Sequence, residues 1–162
     1  MNKNILIFLG FFTLSAHAQI NSPFLQLQAE VQKAIADPTD IISQGSDKLN
    51  NNEHLQMWIK KAPEDDLSPS IKAFIIYGYT QKDQNLEITN YMKGYSYLDC
   101  QNKKTAMRSG LVLAKNGEGK VDYENSTLVW KSKNLTGQAG KDFLNFYNQL
   151  CPSASSNSQT NN

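Results

Sequence analysis

Histidine is nearly absent from this chain of 162 residues, which has only His17 and His54. Cysteine is as scarce, with Cys100 and Cys151 alone. These shortages exclude whole classes of chemistry. Zinc sites draw their ligands mainly from several cysteines and histidines together. Ser–His–Asp and Cys–His centres would have a single histidine to share once His17 is set aside with the leader. His54, between Glu53 and Leu55, reads as a surface or strand-edge residue. An excess of one charge is also missing: 16 basic residues face 15 acidic ones. A balanced chain exerts no long-range pull on nucleic acid or on an anionic membrane surface. The apolar run at the start, Ile5 to Leu14, is about half the ~20 residues that a membrane span requires.

Weaker motifs do not fill these gaps. Glu64-Asp65-Asp66 lacks the spaced carboxylates and glycine of a calcium loop and reads as a solvated turn. Gly117 and Gly119 follow Asn116 in a hairpin, and the third glycine and helix of a dinucleotide site do not come after them. No carboxylate pair stands out for glycoside chemistry. The sequence therefore predicts a non-enzyme with no catalytic residues, no metal and no cofactor.

The N-terminus carries Lys3, then the apolar run, then Ser15-Ala16-His17-Ala18. Those are the basic, apolar and small-residue parts of a cleavable secretory leader, with cleavage after Ala18. No cysteine follows the apolar run, so a lipid-modified N-terminus is not expected. With Lys3 gone, the basic residues fall to match the 15 acidic ones. Two cysteines in an exported chain read as one disulfide, Cys100 to Cys151. Closing a loop of about 50 residues is worth ~4 kcal/mol on chain-entropy arithmetic. Residues 152–162 hold only Pro, Ser, Ala, Asn, Gln and Thr. Such a stretch cannot bury enough apolar surface to offset its ordering entropy, so a disordered tail is expected, with its serines as possible glycan acceptors.

Between the ends, Phe24, Gln28, Val31 and Ile35 recur at helical spacing after Ser22-Pro23 and before Asp37-Pro38, predicting a helix of about 14 residues. A polar connector, Thr39 to Asn52, completes a first segment, residues 19–54. The pattern of residues 55–151 is that of strands. They are expected at Leu55 to Lys60, Ile71 to Thr80, Tyr91 to Cys100, Thr105 to Ala114, Lys120 to Glu124 and Leu128 to Trp130, with a tight turn at Asn116-Gly117. Phe143, Phe146, Tyr147, Leu150 and Cys151 then form one helical stripe introduced by Thr136-Gly137. The fold class is α+β: a curved antiparallel sheet packed by a C-terminal helix, with an additional N-terminal helix.

Alternation places Ile71, Ala73, Ile75 and Tyr77 on one side of their strand and Phe74 and Ile76 on the other. Met107, Leu111 and Leu113 are set against Ala106 and Val112 in the same way. A sheet this apolar on both sides needs a second cover. The candidates are the N-terminal helix, a second copy of the chain in a homodimer, or a partner protein. Lys103, Lys104 and Arg108, with Lys93 on the neighbouring strand, form the one basic cluster with a binding role, and Tyr95 and Tyr97 are its candidate apolar anchors.

Taken in order, Trp58, Tyr97-Leu98-Asp99-Cys100, Asn116-Gly117, Trp130 and Gly137 through Phe143 to Cys151 resemble the surface-adhesin protein E family of Gram-negative bacteria. The likeness covers about Leu55 to Cys151. It implies a curved antiparallel sheet with a disulfide-tied C-terminal helix, a periplasmic, secreted or surface location, and binding to host matrix proteins such as vitronectin and laminin. The expected partner is accordingly a host matrix protein or an envelope protein, with no nucleic acid and no integral membrane segment after cleavage. The other expectation is a homodimeric envelope assembly subunit.

Overall fold

A computed structural model of the chain describes residues 22–117, 121–133 and 136–151. The expected leader and tail lie outside the described residues. Ser22 and Pro23 open α1, Pro23–Ala36, and Asp37 leaves the helix in an extended conformation. The proline costs nothing there, because a first-turn N–H has no helical acceptor. Seven strands follow among the described residues: β1 Ile41–Asn50, β2 Glu53–Lys61, β3 Ile71–Lys82, β4 Ile88–Asp99, β5 Lys104–Ala114, β6 Val121–Glu124 and β7 Lys131–Ser132. The second helix, α2, spans Gly137–Leu150. The first six strands form an antiparallel meander in sequence order, and β7 pairs with the start of β5.

The stretch expected to be a polar connector is strand β1, paired with β2 along its length. Its sequence hid it because an edge strand wet on both sides needs no apolar alternation. Only Ile42 of the ten residues is buried. The last expected strand also moves: residues 128–130 run without ladder pairing, and β7 begins at Lys131.

Both sheet faces have covers. On one, Leu27 and Val31 of α1 are buried against Tyr77, Tyr91 and Leu113, with Ile75, Tyr79 and Leu111 at the margin. The second cover anticipated from the alternation is thus α1 itself. On the other face, Phe146 and Leu150 of α2 pack on Ile42, Phe74 and Leu98. The Phe74 and Phe146 rings meet edge to face, with centroids 5.0 Å apart. The disulfide joins Cys100, just past β4, to Cys151 at the end of α2, with Cα atoms 5.6 Å apart.

One prediction about facing fails at a bulge. Between the pairs Tyr95↔Ser109 and Ser96↔Met107, strand β5 spends one extra residue, Arg108. An extra residue reverses the parity of everything beyond it. Met107 therefore joins Val112 on the α2 side, and Ala106, opposite Tyr97, joins Leu111 and Leu113 on the α1 side.

Candidate functional site

The α2-side face is only partly covered. Successive ladders align Gly45, Met57, Gly78, Met92, Val112 and Val121 in one row across six strands. A second row runs through Ile59, Ile76, Gly94, Gly110 and Tyr123. Helix α2 seats on the end of the face that carries Ile42, Phe74 and Leu98. Met57, Met92 and Val112 remain partly exposed, and Val121 is 51% exposed. Two of the glycines are sites of close approach. A Cβ at Gly78 would lie 2.5 Å from the Gln56 carbonyl oxygen, and one at Gly110 would lie 2.5 Å from the Tyr123 ring. The result is an apolar strip with a low floor and methionine walls.

The residues expected to form one basic patch do not converge. Lys93 lies on the α1 side, ion-paired to Glu30 and 5.9 Å from the Tyr77 ring centroid. It stands six residues from Asp99, the partner of Lys104 in the ladder. At the usual strand rise that is about 20 Å. Arg108 sits at the bulge, where its guanidinium donates to the Asn125 carbonyl at 2.6 Å and pairs with Glu124 at 3.2 Å. Lys103 and Lys104 stay together at the β4–β5 turn. Tyr97 is 8% exposed, and its ring meets that of Tyr95 edge to face. Both tyrosines belong to a small core with Ala73, Ile75, Leu128 and Trp130, so neither is a surface anchor.

Strand β7 brings in two cations that local reading missed. The ladder sets Lys104 opposite Ser132 and Thr105 opposite Lys131. Lys131 and the adjoining Lys133 are exposed beside the turn. Their signal was the alternation of Leu128 and Trp130 with Val129, Lys131 and Lys133, which separates an inward set from an outward one. The turn itself is organised by Asp99, whose carboxylate accepts from the backbone N–H of Gln101 at 2.9 Å and of Asn102 at 3.0 Å. It also accepts from the Asn102 side-chain amide at 2.7 Å. Those bonds, the Asn102 side chain's first, hold the Asp99 pKa below its ordinary value.

Elsewhere several polar groups are paired with one another. A cleft of about 390 Å³ between α1 and the sheet is lined by Glu30, Lys33, Asp37, Asp40, Lys60 and Lys61, among others. Within it Lys60 donates to the carbonyls of Ala34 and Asp37, the free acceptors at the end of α1. The Asp66 carboxylate accepts from the Ala73 N–H at 2.7 Å and pairs with Lys72 at 2.8 Å, so the acidic turn is structural. His54 pairs with Asp83 at 3.1 Å at the β2–β3 end of the sheet. Among the described residues no group of three or more His, Cys, Asp or Glu side chains is placed to hold a metal, and no helix is long and apolar enough to cross a membrane.

Comparison with known proteins finds no matching family model, curated protein or solved structure. The chain is an α+β protein: a curled antiparallel half-barrel with one helix before the sheet and one after it.

Proposed function

We propose that this chain is an exported, non-catalytic binding domain, similar in role to surface-adhesin protein E, that engages a protein or an envelope component through its sheet. The observation that carries the reading is the uncovered row on the α2 side, where Met57, Met92, Val112 and Val121 lie beyond the reach of the helix. Contiguous apolar surface left open to water is a feature of interaction sites. The disulfide fits an oxidising compartment. The test is affinity capture from envelope extract and from host serum with the purified mature chain, beside the exposed variant Val121→Asp. Capture of a defined component by the wild type, lost in a variant of unchanged melting temperature, is the expected result. Equal capture by both proteins, or none by either, overturns the reading.

A homodimeric assembly subunit is favoured by a different feature. Among the described residues β1 pairs only with β2, leaving a ten-residue edge free for another strand. Sedimentation at micromolar concentration decides it, since a dimer requires a concentration-dependent mass near twice that of the monomer.

A further inference from the structure

The distribution of paired and unpaired cations points to a second contact surface. Lys60, Lys72, Lys82, Lys93, Lys115 and Arg108 each close an ion pair. Lys33 and Lys61 share their cleft with Glu30, Asp37 and Asp40. At the β4–β5 turn and β7, by contrast, Lys103, Lys131 and Lys133 come together with no ion pair among the described residues, while Lys104 faces the other side of the sheet, opposite Asp99 and Ser132. The one acid in the turn, Asp99, has both carboxylate oxygens committed to the turn's own N–H groups. Lys48 on β1 and Lys141 on α2 also lack an ion pair among the described residues, but each is a single residue, whereas the β4–β5 turn and β7 bring three such lysines to one end of the sheet.

Two features give this end more than charge. Lys103 is held in place. Its backbone adopts φ +53°, and its ammonium lies 5.2 Å from the centroid of the Tyr147 ring. That ring is fixed in turn by its O–H, which donates to the Cys100 carbonyl at 2.6 Å, beside the disulfide. The second feature is the outward set on residues 128–133. Val129, 61% exposed, precedes Lys131 and Lys133 at alternate positions, while Leu128 and Trp130 point into the core. Strand β7 pairs with β5 and with no other strand among the described residues, so its outer edge is open.

We propose that the β7 edge, with Val129, Lys131, Lys133 and the neighbouring Lys103, docks an extended acidic segment of a protein partner. An added strand presents side chains on one face about every 7 Å, the same period as Val129, Lys131 and Lys133. The open edge supplies backbone hydrogen bonds, Val129 an apolar contact, and the lysines the charge complement. A glycan or nucleic acid would use the charge but neither the strand edge nor Val129, which is why the structure favours a peptide. The inference deepens the reading of the chain as a binding module and names a partner chemistry for it.

The test is fluorescence anisotropy of a labelled peptide alternating Glu and Thr, titrated with the disulfide-bonded mature chain. A sulfated glycan and single-stranded DNA of equal charge serve as competitors. The expected affinity is micromolar to millimolar at low salt, because exposed ion pairs are individually weak. It should fall about tenfold or more as salt is raised to physiological strength. The double substitution Lys131→Glu/Lys133→Glu should abolish binding, Val129→Asp should weaken it several-fold, and Lys48→Glu on the far edge should leave it unchanged. All four positions are exposed, and circular dichroism verifies that the variants fold. No peptide binding at low salt overturns the proposal. So does DNA or glycan binding that displaces the peptide and ignores Val129→Asp, since that defines a generic polyanion patch. A chain that still captures a partner through Val121 while failing these titrations retains its role as a binding module and loses only this surface.

Discussion

A phenol taken out of water needs a partner for its O–H, and Tyr95 lacks one. Its hydroxyl is buried beside Asp65 and Tyr97 and makes no hydrogen bond among the described residues. Burial raises its pKa well above the ordinary tyrosine value, and the nearby Asp65 carboxylate adds to the shift by disfavouring the phenolate. An unsatisfied buried hydroxyl costs about 1–3 kcal/mol. Tyr95→Phe keeps the ring contact with Tyr97 and removes the orphaned group. It should raise the unfolding free energy by about 1 kcal/mol, measured by urea denaturation at neutral pH. The sign at high pH follows from the same burial. A raised folded-state pKa contributes stability that is complete below the unfolded value near 10 and lost as pH rises beyond it. The gap between variant and wild type should therefore widen in alkali. A variant less stable than the wild type would mean that the hydroxyl has a partner after all.

At the scale of elements, α2 rests on two attachments of different kinds. Phe146 and Leu150 bury apolar surface against Phe74 and Leu98, and Cys151 is bonded to Cys100 across 51 residues of chain. A native bridge in a small domain is usually worth 2–5 kcal/mol. Cys151→Ser should lower the unfolding free energy by about that amount while the far-ultraviolet spectrum of the folded state changes little, because the packing face remains. A variant that melts with the oxidised wild type would show that the staple carries no stability. This pairing was legible in the sequence because the period of α2 puts Cys151 on its apolar stripe. Both helices and the main strands were legible for the same reason, since each buries one face. Three things were not. Strand β1 is polar on both sides. The facing of Met107 and Ala106 depends on an extra residue at Arg108, and no local pattern marks a bulge there. The approach of Lys131 and Lys133 to Lys103 exists only because β7 folds back on the start of β5, a pairing across some 27 residues that composition does not encode.

At the scale of the whole molecule, three carboxylates hold connections between elements, and they set how the fold answers acid. Asp37 joins α1 to β1 by accepting from the Thr39 N–H at 2.9 Å. Glu87 ties the β3–β4 loop to the end of β5 through Lys115 at 2.9 Å, with Lys82 further off at 3.8 Å. Asp99 closes the β4–β5 turn. Each has its pKa lowered, by the bonds to Thr39, to Lys115 and to Asn102 respectively. A folded-state pKa below the unfolded value means that the unfolded chain binds more protons as pH falls between the two. The stabilisation is thus complete above the unfolded carboxylate range, near pH 4–5, and disappears as pH drops through the lower folded values. All three groups are solvated, so each contributes modestly and only their sum should be seen. The melting temperature should be level from about pH 8 to pH 5 and decline below about pH 4. Asp37→Asn, Glu87→Gln and Asp99→Asn combined should lower the plateau and flatten the decline, because the variant has nothing left at these positions to protonate. Scanning calorimetry of the two proteins across that range makes the comparison. An equally steep acid decline in the triple variant would move the acid sensitivity to other carboxylates and leave these three connections without a measurable part in holding the half-barrel together.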